Sequence, residues 1–477
     1  KKQKKNNPPS MRAVKFANTI FILGILYSLL IIFYTTYSLF NLNNKNIEYY
    51  LLIFFIAFIT NLLFFFGLKL KNDTKINVSI VLLTIGISIY SFEIYLNFAT
   101  KRNDYSNVIK KFEELPFSYD KRNKYEVITD LNSNGFEAYP NIAPFLFLKT
   151  NGFDTNNGKL FPLSGISNIT TIHANEQGYY PIIKTDEHGF NNPKGLYNKE
   201  IDILLVGDSF IEGYAVEADE NIASVMRELG YTTLSVGKGG SSALLELAII
   251  KEYAEPLKPK VVLWFFYPGD WPEIAREMES PLLLNYLHDS SFSQNLISRQ
   301  DEIDKILKNF VKKNFSTTNA NLFKYKKKIN ESSDRNIFKI TAEKYFNLFS
   351  RIFKLSSIRY LFGLSQKPYN ILQEILMKSN NLVSSWGGKL YFIYIPSVDQ
   401  YSSNLSFIFN KSAFNFNKIN KLDIPTIDMH KEVFSLHSDP LSLFPLRVFH
   451  HYTAEGYRLI AETINKKLND DKIIYPK

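Results

Sequence analysis

Three long apolar stretches in the first hundred residues, separated by short charged gaps, constrain the fold more than any other feature of the sequence. No charged side chain occurs between Lys15 and Lys45, and residues 16–42 are apolar enough to cross a bilayer as one helix. A second stretch, 49–68, lies between Glu48 and Lys69, and a third, 76–98, carries only Glu93 near its far end. The reading is a basic tail (1–15) followed by a three-helix transmembrane anchor (16–98). Glu93 is expected to reach the interface from the last turn of its helix. Three spans without paired ionisable groups or broken helices read as an anchor or an assembly surface for other membrane proteins, and not as a transport path.

Orientation follows from the cations. Lys1, Lys2, Lys4, Lys5, Arg12 and Lys15 precede the first span, and Lys69, Lys71 and Lys75 fill the gap between the second and third. Both clusters belong on the cytoplasmic face, which puts everything beyond about residue 100 on the other side of the inner membrane. The formal charge of +10 does not point to nucleic acid, because the basic residues are spread over tail, membrane flanks and a later insertion with no nucleic-acid-binding module among them. The chain has no cysteine, so thiol nucleophiles, disulfides and thiolate metal sites are excluded. Seven scattered histidines offer no metal-ligand spacing. Neither a metal nor a cofactor is expected.

Residues 99–200 are rich in turn pairs such as Asn151-Gly152 and Asn157-Gly158 and predict a small irregular or β-containing subdomain. From 201 to 477 the pattern changes. Short apolar runs at 201–206, 232–236, 261–267, 390–396 and 424–428 alternate with helical segments, which predicts an α/β domain, a parallel sheet covered by helices on both faces. A Lys-rich amphipathic insertion over about 281–375 separates the third and fourth runs and reads first as a solvated cap, with a lid or a polyanion-binding surface as the other readings.

The chemistry-bearing residues fall at the ends of these runs. Gly207-Asp208-Ser209 follows the first strand, where groups of an open α/β sheet face the ligand crevice, so Ser209 is placed to be a nucleophile. Gly237-Lys238-Gly239-Gly240 follows the second strand and opens a helix, offering backbone N–H groups to an anionic oxygen. Tyr267-Pro268-Gly269-Asp270 follows the third. His450-His451 precedes the last helix, where an imidazole can serve as general base.

This ordered set resembles the blocks of the SGNH (GDSL) hydrolases over roughly residue 201 to the C-terminus. The resemblance implies a three-layer α/β/α domain, Ser209 as nucleophile, His451 and not His450 as base, and an oxyanion hole built by Ser209, Gly240 and Asp270. The stretch 168–192, with Asn175-Glu176-Gln177-Gly178-Tyr179, looks like the preface of some membrane-anchored bacterial members. Two positions depart from the pattern. Asp270 stands where an asparagine normally donates to the oxyanion, and Val448 stands where an acid normally orients the histidine. Asp439, Asp428 or a backbone carbonyl are the remaining candidates to hold the ring. The function expected is an extracytoplasmic serine esterase or O-acyltransferase acting on acyl esters of envelope polysaccharide or lipid. The alternative is a catalytically silent SGNH-like domain that binds within a membrane complex.

Overall fold

A computed structural model of the chain describes residues 9–40, 47–99, 111–315, 352–361, 368–402 and 414–476. The basic residues before position 9, and the part of the insertion from 316 to 351, lie outside the described residues. Two compact units emerge: residues 1–99 with 347–358, and residues 100–346 with 359–477.

The first unit is built on three helices, α1 (Met11–Phe40), α2 (Ile47–Gly67) and α3 (Asn72–Ala99). Within them Met11–Phe40, Tyr50–Gly67 and Asn72–Asn97 are each long and apolar enough to cross a membrane. Few polar contacts join them: Asn61 donates through Nδ2 to Ser28 Oγ at 2.8 Å, and Lys75 Nζ donates to Asn18 Oδ1 at 3.0 Å. Large apolar side chains such as Phe33, Phe55 and Leu63 point outward, as lipid-facing positions require.

Glu93 does not reach for an interface. It is fully buried, Oε1 accepts from Ser357 N at 2.9 Å and from Asn97 Nδ2 at 2.7 Å, and Oε2 accepts from Ile358 N at 2.8 Å. The first turn of a helix has N–H groups with no intrahelical partner, and a carboxylate satisfies them and its own charge together.

The second unit follows in chain order through α4 (Lys124–Ser133), two small hairpins, β1 (Phe153–Thr155) with β2 (Gly158–Leu160) and β3 (Thr170–Ile172) with β4 (Ile182–Lys184), and then β5 (Ile203–Val206). Next come α5 (Ser209–Glu212), α6 (Ile222–Glu228), β6 (Thr233–Ser235), α7 (Ala243–Ile249), β7 (Val261–Phe266), α8 (Trp271–Glu277), α9 (Pro281–His288) and α10 (Gln300–Asn314). After α11 (Ser356–Leu361), whose first three residues belong to the first unit, come α12 (Tyr369–Ser385), β8 (Lys389–Tyr394), β9 (Thr426–Asp428) and α13 (Ala454–Asp470).

All five strands of the main sheet are parallel, in the order β6-β5-β7-β8-β9. Side chains alternate across the sheet. Leu204, Val206, Val262, Trp264 and Phe266 enter one core with α7, α9, α10 and α12, whereas Ile203, Leu205, Val261, Leu263 and Phe265 enter another with α6 and α13. Burial on both faces is why these strands read as continuous apolar runs.

Two expectations change here. Phe147, Leu160, Phe161 and Phe190 from the segment ahead of β5 share one core with Leu204 and Trp264, so residue 200 does not separate two cores. The described parts of the insertion are not a solvated cap either, because Leu283 and Leu287 of α9 and Ile303, Leu307 and Val311 of α10 are buried in that same core.

Candidate active site

The crevice is fixed by the order of the strands. The chain leaves β5 for β6 on one side and leaves β7 for β8 on the other, so the connections beyond the carboxyl ends of these two paired strands run apart and open a crevice there. Ser209 starts α5 at this edge, just after Asp208, whose Oδ1 accepts from Phe210 N at 2.9 Å and caps the short helix. Glycine is needed at 207 because a Cβ there would lie 2.6 Å from Ile211.

His451 comes from the loop ahead of α13, whose cap is Thr453. Its Nε2 lies 2.8 Å from Ser209 Oγ, and its ring sits between Phe210 (4.9 Å between centroids) and Tyr214 (5.2 Å). The opposite nitrogen, Nδ1, lies 2.9 Å from Glu176 Oε1. Ser209, His451 and Glu176 thus form one hydrogen-bonded line, with both the histidine and the glutamate side chains largely buried.

Glu176 was not among the acids named from sequence. Asp439 instead receives two bonds from Arg447, at 2.6 and 2.7 Å. This pair braces a turn in which Leu446 and Arg447 both hold positive φ (48° and 62°), just ahead of the histidines. Asp428 accepts from His430 N at 3.1 Å and faces Lys431 at 3.4 Å. Neither acid touches His451.

The loop carrying Glu176 follows β3 and is pinned against the segment just beyond α5. Gln177 Nε2 donates to Ala215 O at 2.5 Å, and His173 Nδ1 lies 3.1 Å from Gly213 O. Asn175 Oδ1 accepts from Gly178 N at 2.9 Å, and Gly178 holds φ +98° with Leu115 only 2.6 Å from where a Cβ would be. Only glycine fits there.

Electrostatics tie the line together. Burial alone would push His451 down, but the Glu176 carboxylate, together with Asp208 and Glu212, outweighs it and holds the imidazole above its usual range. Burial alone would raise Glu176, and the facing His451 pulls it below the ordinary carboxylate range instead. His173, stacked on Tyr214 at 4.5 Å, is pushed down to about 4 by burial and stays neutral at pH 7.

Gly240 holds φ +69°, with the Phe145 ring 2.4 Å from where a Cβ would be. Its loop is held from below by a buried ion pair that the sequence did not reveal. Lys238 Nζ donates to Glu212 Oε1 at 2.5 Å and to Asn141 Oδ1 at 2.9 Å, while Glu212 Oε2 accepts from Gly239 N at 2.7 Å. No hydrogen bond among the described residues engages the N–H of Ser209 or of Gly240. Asp270 lies at the end of β7, linked to the Gly240 loop by Ser242 Oγ, which donates to its carbonyl at 3.1 Å.

Nucleophile, anion-binding loop, third loop and histidine arrive in chain order at one edge of a 2-1-3-4-5 sheet. This is the arrangement that the resemblance to the SGNH hydrolases implied. No family model matches the sequence, and no curated protein matches it. Solved structures similar to part of this chain include a lipase/acylhydrolase from Enterococcus faecalis (13% identity, TM-score 0.31, 58% of this chain and 98% of that one). An acetyl xylan esterase (11%, 0.29, 56% and 100%) and TesA (10%, 0.29, 57% and 99%) are others.

Proposed function

We propose that the protein is a membrane-anchored serine esterase or O-acyltransferase with Ser209, His451 and Glu176 as its catalytic triad. The observation that carries this reading is the unbroken line from Ser209 Oγ through both nitrogens of His451 to Glu176. Ser209 Oγ attacks the acyl carbonyl carbon as its proton passes to His451 Nε2. Glu176 keeps the proton of the ring on Nδ1 and stabilises the imidazolium that forms. Ser209 N–H and Gly240 N–H, both unengaged, receive the tetrahedral oxyanion. Collapse breaks the ester C–O bond, His451 protonates the departing alkoxide, and an acyl-serine remains. Water or an acceptor hydroxyl then enters by the same steps in reverse.

The cations flanking the spans support an extracytoplasmic catalytic domain, and an ester of envelope polysaccharide or lipid is the substrate class that this location offers. Full-length protein in detergent should react with a fluorophosphonate at Ser209 and hydrolyse p-nitrophenyl acetate, with Ser209→Ala silent in both assays. Absence of labelling at every pH would remove the proposal. The silent-binding alternative is favoured by one feature, an acid at 270 where the SGNH pattern has a donor. Turnover lost in Ser209→Ala and present in the unaltered chain excludes it.

A further inference from the structure

The short stretch 352–358, which follows most of the insertion, is far too short to cross a bilayer, yet its neighbours are spans. It forms one compact unit with α1, α2 and α3. The Phe353 ring meets the Tyr27 ring of α1 edge-on, 5.3 Å between centroids, and the Phe353 carbonyl accepts from the Tyr90 hydroxyl of α3 at 3.5 Å. The hydroxyls of Tyr27 and Tyr90 are themselves 3.3 Å apart. Helix rise gives the depth of this contact. Tyr27 lies roughly 18 Å along α1 from Lys15, and Tyr90 roughly 22 Å along α3 from Lys75, against a hydrocarbon layer about 30 Å thick. Phe353 therefore sits at the depth of the leaflet that holds the C-terminal ends of α1 and α3.

The backbone is shaped for such an entry. Leu355 N donates to Ile352 O at 3.0 Å and Leu355 holds φ +49°, so the chain changes direction there before α11 begins at Ser356. A non-glycine residue stays in the left-handed region only where its surroundings fix it. Backbone N–H groups in hydrocarbon must find partners within the protein, since no water supplies them. Glu93 does this. It is fully buried, and it accepts from Ser357 N at 2.9 Å and Ile358 N at 2.8 Å, two orphan donors in the first turn of α11. An ionisable side chain within a span is costly unless a specific partner answers it, and here the backbone of 352–358 is that partner. The Phe353 ring remains 39% exposed, as Ile87 and Ile94 of α3 are exposed too. Lys354 is exposed and has a stem long enough to carry its ammonium toward the headgroups.

We propose that residues 352–358 are a re-entrant segment, which dips into the leaflet where α1 and α3 end, touches lipid tails through Phe353 and is held there by Glu93. The chain on both sides of the stretch belongs to the second unit, so it enters and leaves by one face. The second unit is then tied to the bilayer twice, through α3 and through this segment. The assignment holds whichever side of the membrane that leaflet faces, and whether or not Ser209 reacts.

The test places a bimane on Phe353→Cys in the full-length, cysteine-free chain and reads its quenching in phosphatidylcholine vesicles that carry nitroxides on the acyl chains. Ile87→Cys, exposed on α3, is the lipid reference, and Asn156→Cys, in the β1–β2 turn, is the aqueous one. Bimane at 353 should lose fluorescence to the acyl-chain nitroxides as bimane at 87 does, and should resist a soluble quencher that reaches position 156. A response matching position 156 overturns the proposal. Glu93→Ala strands the Ser357 and Ile358 N–H groups and should move position 353 toward the aqueous pattern while position 87 is unchanged; a 353 label that stays in lipid overturns the role of Glu93. A second measurement leaves the stretch intact: a protease site is placed within residues 100–110 and cut in vesicles. The C-terminal fragment should float with the vesicles in high salt, and Phe353→Asp should release it. A fragment that leaves the vesicles with Phe353 in place, or one that Phe353→Asp fails to release, overturns the proposal.

Discussion

Glu176 lies 275 positions from His451 in the chain, yet it is the residue that turns a serine–histidine pair into a triad. Replacing it with glutamine keeps the volume and removes the charge that holds the Nδ1–H tautomer. Glu176→Gln should lower kcat by about 10²- to 10⁴-fold, judged from the loss of the equivalent acid in other triads. The pH profile gives a second signature. His451 must be neutral to accept a proton, so kcat/KM rises with pH through its raised pKa, and without Glu176 that rising limb should move to lower pH. A limb that stays in place would mean that some other group carries it. Ser209 and His451 were legible from sequence because each is set by a local signal, a strand followed by Gly-Asp-Ser and a histidine ahead of a threonine-capped helix. The acid was not, because the SGNH pattern looks for it at Val448 and the fold supplies it from a loop ahead of the sheet. Asn175-Glu176-Gln177-Gly178 was noticed as a motif, but a turn does not announce what it will face.

Among the elements, the loop after β6 shows how a buried charge can serve geometry. Lys238 and Glu212 are 1% and 3% exposed, and their pairing fixes Gly239 and hence Gly240. Lys238→Met leaves Glu212 buried without its cation and should cost about 3 to 5 kcal/mol in denaturant unfolding. Pairing it with Glu212→Gln should recover part of that loss, since no charge is then stranded. If the double variant is as unstable as the single one, the ion pair is not the source of the cost. In a sequence Lys238 reads as one more solvated lysine. The amphipathic pattern of the insertion was legible, but its lysines hid how deeply α10 is packed, with Ile303, Leu307 and Val311 buried while Lys305, Lys308, Lys312 and Lys313 are not. A count of charges over a segment mixes the two faces, and only the spacing separates them. The five strands escaped this difficulty because both of their faces are apolar, and their ends shifted by only a residue or two from expectation.

For the whole molecule, the absence of native cysteine makes topology directly measurable. Lys71→Cys, in the gap between α2 and α3, should be shielded in intact cells from a membrane-impermeant maleimide, whereas Asn156→Cys, in the β1–β2 turn, should react. The opposite pattern, Lys71→Cys reactive and Asn156→Cys shielded, would reverse the orientation proposed here. The return of the chain to the membrane unit at residues 352–358 was invisible in the sequence, since this stretch has neither the length nor the hydropathy of a span. That return bears on how the protein can be handled. Anyone wishing to work without detergent would trim the chain after α3, but the trimmed fragment keeps Phe353, whose ring rests 5.3 Å from Tyr27, and the Ser357 and Ile358 N–H groups that Glu93 receives. A sticky tongue would remain, and such a fragment should elute as aggregates from a sizing column unless that second stretch is cut away too.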